Sequence, residues 1–237
     1  MNIYLESFSK AFELIINVDK DLYEILFLSI RVTLVALCVA CLIGLPLGTF
    51  LAIQNFFGRS IIVSIINSMM SLPPVVVGLV VYINFSRSGP FGWMGLLYTP
   101  TAMIIAQIIL ILPIIAGLTY QIIEDKHEHY QDLFKSLVTP KYYAVVAYII
   151  DARFSLLTVV LAGLARGISE VGAVIIVGGN IDHLTRVITS TIALETTKGQ
   201  LSLALALGFI LLILAMLINF VATWHKQIGK KNNYEQT

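Results

Sequence analysis

Three groups of side chains in this chain have the residue types and spacing that chemistry uses. Cys38-Val39-Ala40-Cys41 has the spacing of a dithiol redox or metal motif. His127 and His129 stand among Glu124, Asp125, Glu128 and Asp132, donors that zinc accepts. Arg166 and Glu170 are four residues apart, the separation at which opposite charges meet on one helix face. Surroundings settle the first two. Both cysteines lie inside an uncharged apolar run, where thiols pack like small hydrophobic groups. Histidines two apart do not share a helix face, so their segment reads as a solvated loop. The Arg166–Glu170 pair carries two readings, a structural ion pair that fixes its helix or a direct part in a gate or path. No P-loop, dinucleotide fingerprint, Gly-x-Ser-x-Gly elbow or His-Glu-x-x-His helix occurs. The chain therefore reads as a non-enzyme with no cofactor of its own, and uphill work must draw on a partner or an ion gradient.

The elements that carry these residues are membrane helices. Hydrophobic residues make up 58% of the chain and charged residues 12%, against about 25% charged in soluble domains. Val32–Ile53 is free of formal charge for 22 residues, and about 20 cross a bilayer as a helix. Uncharged runs bracketed by Arg59 and Arg87, by Arg87 and Glu124, and by Lys198 and His225 give three more spans, and the fourth span in chain order, roughly 154–177, carries Arg166 and Glu170. The runs are too long for barrel strands and lack alternation, so the expected fold is all-α, an integral membrane protein with five transmembrane helices.

An odd count puts the termini on opposite sides. With the C-terminus inside, eight basic residues face the cytoplasm (Arg59, Lys126, Lys135, Lys141, Arg153, Lys226, Lys230, Lys231) and five face out (Lys10, Lys20, Arg87, Arg186, Lys198). The positive-inside rule then favours N-out, C-in. Residues 1–21 lack the pattern of a signal peptide. Leu5, Phe8, Phe12, Ile15 and Ile16 recur at helical spacing, which suits an amphipathic helix on the outer membrane surface, with a loosely ordered terminus as the alternative. Residues 22–224 form the membrane domain, and 225–237 a basic cytoplasmic tail.

Small residues mark helix seams: Ala36, Ala40, Gly44 and Gly48 in span one, with Pro46 among them, and Gly163, Gly167, Ala165, Ser169 and Ala173 in span four. Pro73 and Pro74 interrupt span two, giving a broken helix beside a substrate path or a plain structural kink. Residues 124–153 form the polar connection between spans three and four. There Leu133, Phe134 and Leu137 face one way until Pro140, the pattern of a short amphipathic helix parallel to the membrane that fits a groove on a soluble partner.

At this point the chain resembles the tungstate-type permease subunits of ATP-binding-cassette (ABC) importers, relatives of molybdate and sulfate permeases. The resemblance rests on Ser71-Leu72-Pro73-Pro74-Val75-Val76-Val77-Gly78-Leu79, Ser86-Arg87-Ser88-Gly89-Pro90 and Thr99-Pro100-Thr101-Ala102-Met103. It continues through Ala165-Arg166-Gly167-Ile168-Ser169-Glu170-Val171-Gly172-Ala173, Gly178-Gly179-Asn180-Ile181, Thr185-Arg186 and Leu194-Glu195-Thr196. It implies a type I (MetI-like) importer permease that pairs with a second copy of itself and with two ATPase subunits carrying ATP and magnesium. It also implies an extracytoplasmic oxyanion-binding protein as partner, and nothing implies nucleic acid. The family's coupling segment, Glu-Ala-Ala-x-x-Leu-Gly, falls on Asp132, Leu133, Phe134, Lys135, Ser136, Leu137 and Val138, with bulkier residues in place of both alanines and the glycine.

On this reading Asp132, Leu133, Phe134, Lys135, Leu137 and Val138 contact the ATPase. Pro73, Pro74, Arg166 and Glu170 are candidates for the path or gate. Asn180, Thr185 and Arg186 lie in the outer segment expected to meet the binding protein, with a plain connecting loop as the alternative. Tungstate is the expected cargo, with molybdate or sulfate as alternatives. A secondary transporter without ATPase would need mid-membrane carboxylates and an inverted repeat, and only Glu170 lies within a span. A passive scaffold would show no substrate dependence.

Overall fold

The computed structural model describes residues 3–16 and 20–234; the side chains of Leu5 and Ile15 and those of the basic tail from residue 225 onward lie outside the described residues. Among the described residues the regular structure is helical: α1 (Ile3–Ile16), α2 (Lys20–Ile53), α3 (Arg59–Met69), α4 (Pro74–Phe85), a 3-10 turn (Gly92–Met94), α5 (Pro100–Ser136), α6 (Lys141–Ile168), α7 (Gly172–Gly178), α8 (Ile188–Thr197) and α9 (Leu201–Tyr234). Among the described residues four stretches are long and apolar enough to cross a bilayer alone: Lys20–Ile53, Pro100–Ser136, Tyr142–Ile168 and Leu201–Phe220. A fifth span exists only if α3 and α4 cross together as a broken pair.

The break in span two falls at the expected prolines. Pro73 holds φ −65° and ψ 124°, and its carbonyl accepts the Val76 and Val77 amides at 3.0 and 3.2 Å. Proline so placed starts α4 because its missing N–H would have had no helical partner. Two expected boundaries are corrected. The polar stretch after Glu124 is no separate helix parallel to the membrane, nor a loop: α5 runs through it unbroken to Ser136, because no glycine or proline interrupts the chain from Gly117 to Pro140. Span four does not continue from Phe154 to Val177. Helix α6 stops at Ile168, and the chain restarts as α7 at Gly172.

The chain forms two compact units, one of residues 1–36, 73–107 and 167–219, the other of residues 37–72, 108–166 and 220–237. In the first unit Ala11, Leu22, Ile188, Ala206, Leu207 and Ile210 form a buried cluster. Helix α1 turns its small residues Ser7 and Ala11 inward and leaves Tyr4, Phe8, Phe12 and Ile16 exposed along its opposite side. The apolar stripe anticipated on Phe8 and Phe12 is thus exposed, away from the buried cluster of the first unit. Helices α4 and α7 pack so closely that a β-carbon on Gly78 would sit 2.7 Å from the Ala173 α-carbon.

In the second unit Ala52, Ile123, Tyr148, Ala152 and Leu156 form the core. The expected small-residue seam of α2 lies on α5: β-carbons on Gly44 and Gly48 would come within 2.8 Å of Ile115 and Thr119 side chains. A β-carbon on Gly163 of α6 would meet the same Ile115 side chain at 2.7 Å. Such seams bring backbones together where lipid offers no hydrophobic gain for association. Ala165 and Ser169, proposed as a second seam, are instead exposed.

Gly78→Val places its β-carbon against backbone that cannot move aside, so the purified protein is expected to lose about 1–3 kcal/mol of stability. Gly208→Ala, with nothing within 4 Å, is the control. Thermal unfolding in detergent checks both, and equal melting temperatures would refute the close α4–α7 approach.

Candidate functional site

Three places bring together the residues expected to carry function. The first is the α5–α6 turn of the second unit. Beyond Glu124, Lys126 Nζ bonds Asp151 of α6 at 2.7 Å, and His127 Nδ1 lies 3.0 Å from the Tyr148 hydroxyl. The Phe134 ring packs edge-on to Tyr148 at 5.3 Å between centroids. Leu133, Phe134 and Leu137 therefore do not share a face: Phe134 is half-buried in the hairpin, while Leu133 and Leu137 are exposed. His127 belongs to this packing rather than to a solvated loop. Among the described residues no group of three or more His, Cys, Asp or Glu side chains is placed to hold a metal.

The end of α5 is closed by backbone bonds from Val138 N–H to Lys135 O at 3.1 Å and from Thr139 N–H to Phe134 O at 3.0 Å. These are the two bonds of a Schellman motif, with Val138 at the position that requires left-handed backbone. Its φ is 52°. A β-branched residue is strained there, and the resembling family's glycine falls on this same position. Val138 is 85% exposed, with Leu137 and Tyr142 exposed beside it, so the turn presents an apolar tip flanked by Asp132 and Lys135. Such a tip beyond the charged level of the helices suits a protein partner.

The second place is the pair of breaks in the first unit. Pro73 is exposed and Pro74 half-buried at the start of α4. Glu170 is 3% exposed; its Oε1 accepts the Ala173 N–H of α7 at 3.0 Å, and its carbonyl accepts the Thr189 hydroxyl at 2.9 Å. The Gln107 amide donates to Gly167 O at 3.2 Å near the end of α6. Helix α6 ends between Arg166 and Glu170, so the two residues do not share one continuous helix. Arg166 is half-buried in the last turn of α6, within the second unit. The buried Glu170 side chain thus meets a backbone amide in the first turn of α7.

The third place is the segment 179–187 of the first unit. The residues expected to make contact also hold this segment together. Thr185 is buried, donates to Gly178 O at 2.6 Å and accepts the Ile181 amide at 2.9 Å. Asn180 takes a φ of 50° and accepts the Ser190 hydroxyl at 2.8 Å. Arg186 bonds Asp182 at 2.6 Å. Together they display Ile181, Asp182, His183 and Leu184, all exposed. His183 Nδ1 lies 2.9 Å from Glu24 Oε2, and this hydrogen bond, with the carboxylate charge, raises the imidazole above its ordinary value. Spacing could not reveal the partnership, because the residues are 159 positions apart.

Val138→Gly relieves the left-handed strain and is expected to stabilise the protein by about 1 kcal/mol, read as a higher melting temperature; no increase would contradict the Schellman geometry. For His183 the folded value lies above the free one, near 6.5. Its bond to Glu24 therefore stabilises the segment fully at lower pH and fades as pH rises through the folded value. Hydrogen exchange of residues 181–186, corrected for intrinsic rates, is expected to be slower at pH 5.5 than at pH 8.5, with the difference absent in His183→Gln.

Residues 44–228 match the family described as binding-protein-dependent transport system inner membrane component. The chain is 42% identical over 221 residues to the tungstate uptake system permease protein TupB of Peptoclostridium acidaminophilum, covering 93% of this chain and 97% of that one. It is 35% identical to TupB of Campylobacter jejuni, covering 93% and 92%. It is 25% identical to the sulfate transport system permease protein CysW of Synechocystis, covering 90% and 81%. With apolar helices long enough to cross a bilayer and a family match over most of its length, the chain belongs to the inner membrane components of binding-protein-dependent transport systems.

Proposed function

We propose that this chain is the permease subunit of an ATP-driven importer that moves tungstate across the cell membrane as a homodimer. The observation that carries the reading is the near full-length similarity to two tungstate permeases, well above that to the sulfate permease. The chain lies N-out and C-in, which puts the α5–α6 turn in the cytoplasm. Two ATPase subunits, which hold ATP and magnesium, grip the tip formed by Leu133, Leu137 and Val138, while Phe134 holds the tip to α6. Closure of the ATPase pair moves the tips together and turns the cavity of the dimer outward. An oxyanion-binding protein docks on the outer surface and delivers its cargo, and hydrolysis lets the cavity open inward. Each ligand acts by its preference for one of two arrangements.

The unbroken course of α5 from Pro100 to Ser136 supports this mechanism, since a helix of that length carries displacement of its end over about 50 Å. On the outer side the exposed Ile181, Asp182, His183 and Leu184 supply the contact, with Asn180, Thr185 and Arg186 holding them in place. The breaks at Pro73–Pro74 and Ser169–Val171 are where helix segments shift between the two arrangements, with Arg166 beside the second break in sequence.

Reconstitution in liposomes with the cognate ATPase and binding protein is expected to give ATP-dependent tungstate uptake exceeding that of molybdate and sulfate. Transport without nucleotide would refute the ATP-driven reading, and preferred uptake of sulfate would refute the cargo. Val138→Asp is expected to reduce co-purification of the ATPase about tenfold while the permease stays folded; undiminished association would remove the tip from the interface.

A further inference from the structure

Arg59 makes the densest set of side-chain bonds described in the second unit, and no role follows for it from anything above. Gly58, at φ 90°, turns the chain after α2 and sets Arg59 at the first position of α3. From there the guanidinium reaches back. Its Nε donates to Leu51 O at 2.6 Å and one terminal nitrogen to Ala52 O at 3.4 Å, carbonyls of the last turn of α2. The other terminal nitrogen donates to Asn55 Oδ1 at 3.2 Å. The nitrogen that reaches Ala52 also meets the Tyr120 hydroxyl at 3.2 Å and Glu124 Oε1 at 2.6 Å, both on α5. Tyr120 itself donates to Glu124. The Arg59 and Glu124 side chains are only 23% and 31% exposed.

Each element of this arrangement has a physical reason. The last carbonyls of a helix lack intrahelical partners and carry the negative end of its dipole, so a cation there is favoured. A planar guanidinium has five donors in a fixed fork, which a lysine ammonium cannot reproduce. Glu124 is the first charged residue of α5 after an uncharged run from Pro100, so the clamp sits where that helix leaves its apolar stretch. Four residues beyond the level of Tyr120 the same helix begins the braced hairpin that ends in the Val138 tip.

We propose that Arg59 is the joint that locks the end of α2 to α5, so that force applied at the α5–α6 tip moves both helices as one body. Arg59 is a positioning residue for energy coupling. The inference rests on the ATP-driven reading given above. Without the joint, α5 slips against α2 and hydrolysis proceeds without transport.

The test uses the complete transporter in liposomes or nanodiscs and reads ATP hydrolysed per tungstate moved. Arg59→Ala is expected to raise that ratio at least tenfold while ATPase association is retained, and Arg59→Lys, which keeps charge but loses the fork, to fall between. Glu124→Gln removes the ion pair and leaves the carbonyl caps, so it is expected to raise the ratio about threefold even if Arg59→Ala fails to fold. A ratio unchanged in the Glu124→Gln and Arg59→Lys variants overturns the proposal. A second readout stands apart from cargo and coupling: spin labels at Phe57→Cys and Glu128→Cys, in a Cys38→Ser, Cys41→Ser background. They are expected to give one narrow distance distribution in the otherwise unaltered protein and a broad one with Glu124→Gln. Equal widths also overturn the joint. Narrow and broad distributions in a protein that moves no tungstate would keep the joint and reject the transport reading instead.

Discussion

A peptide group at the end of a helix has lost its helical partner, and inside a bilayer there is no water to replace it. That constraint explains where this chain, with so few charges, places its polar side chains. At the end of α2, Arg59 donates to the carbonyls of Leu51 and Ala52. Near the end of α6, Gln107 donates to the carbonyl of Gly167. At the start of α7, Glu170 accepts an amide of the first turn while Thr189 covers its own carbonyl. At the start of α8, Ser29 accepts the Ile188 amide and Ser190 that of Val187. The start of α4 needs less cover, because Pro73 and Pro74 have no N–H to satisfy.

A helix broken in lipid costs several kcal/mol unless its ends are met in this way. The breaks are consequently fixed in position along the chain. Glycine keeps neighbouring helices close: Gly78 against Ala173 in one unit, Gly44, Gly48 and Gly163 around Ile115 and Thr119 in the other. The continuous α5, the Lys126–Asp151 bridge and the Phe134–Tyr148 contact hold the α5–α6 hairpin together.

The same logic separates residues that present a surface from those that hold it in place. Thr185, Asn180 and Arg186 spend their polar groups on neighbouring backbone and side chains, leaving Ile181 to Leu184 outside. At the α5 tip the residue exposed most is the one in left-handed conformation, Val138. There the close of the helix, rather than its amphipathic face, makes the exposed apolar tip. Glu170, which lies among span residues, accepts an amide of the first turn of α7.

Apolar run length determined that the chain crosses a membrane by helices, because the cost of bare peptide groups in hydrocarbon depends on sequence length and composition alone. Proline chemistry fixed the break at Pro73, and the four-residue ladder of Ala40, Gly44 and Gly48 marked a real seam, since both act through the local backbone. Tertiary structure decided the rest. The end of α6 at Ile168 has no proline to announce it; it is stabilised by Gln107 and Thr189 from distant parts of the chain. Phe134 turned inward because Tyr148 lies across from it, against the side suggested by Leu133 and Leu137. The roles of Arg59 and His183 depend on Glu124 and Glu24, partners that only folding brings within hydrogen-bond distance.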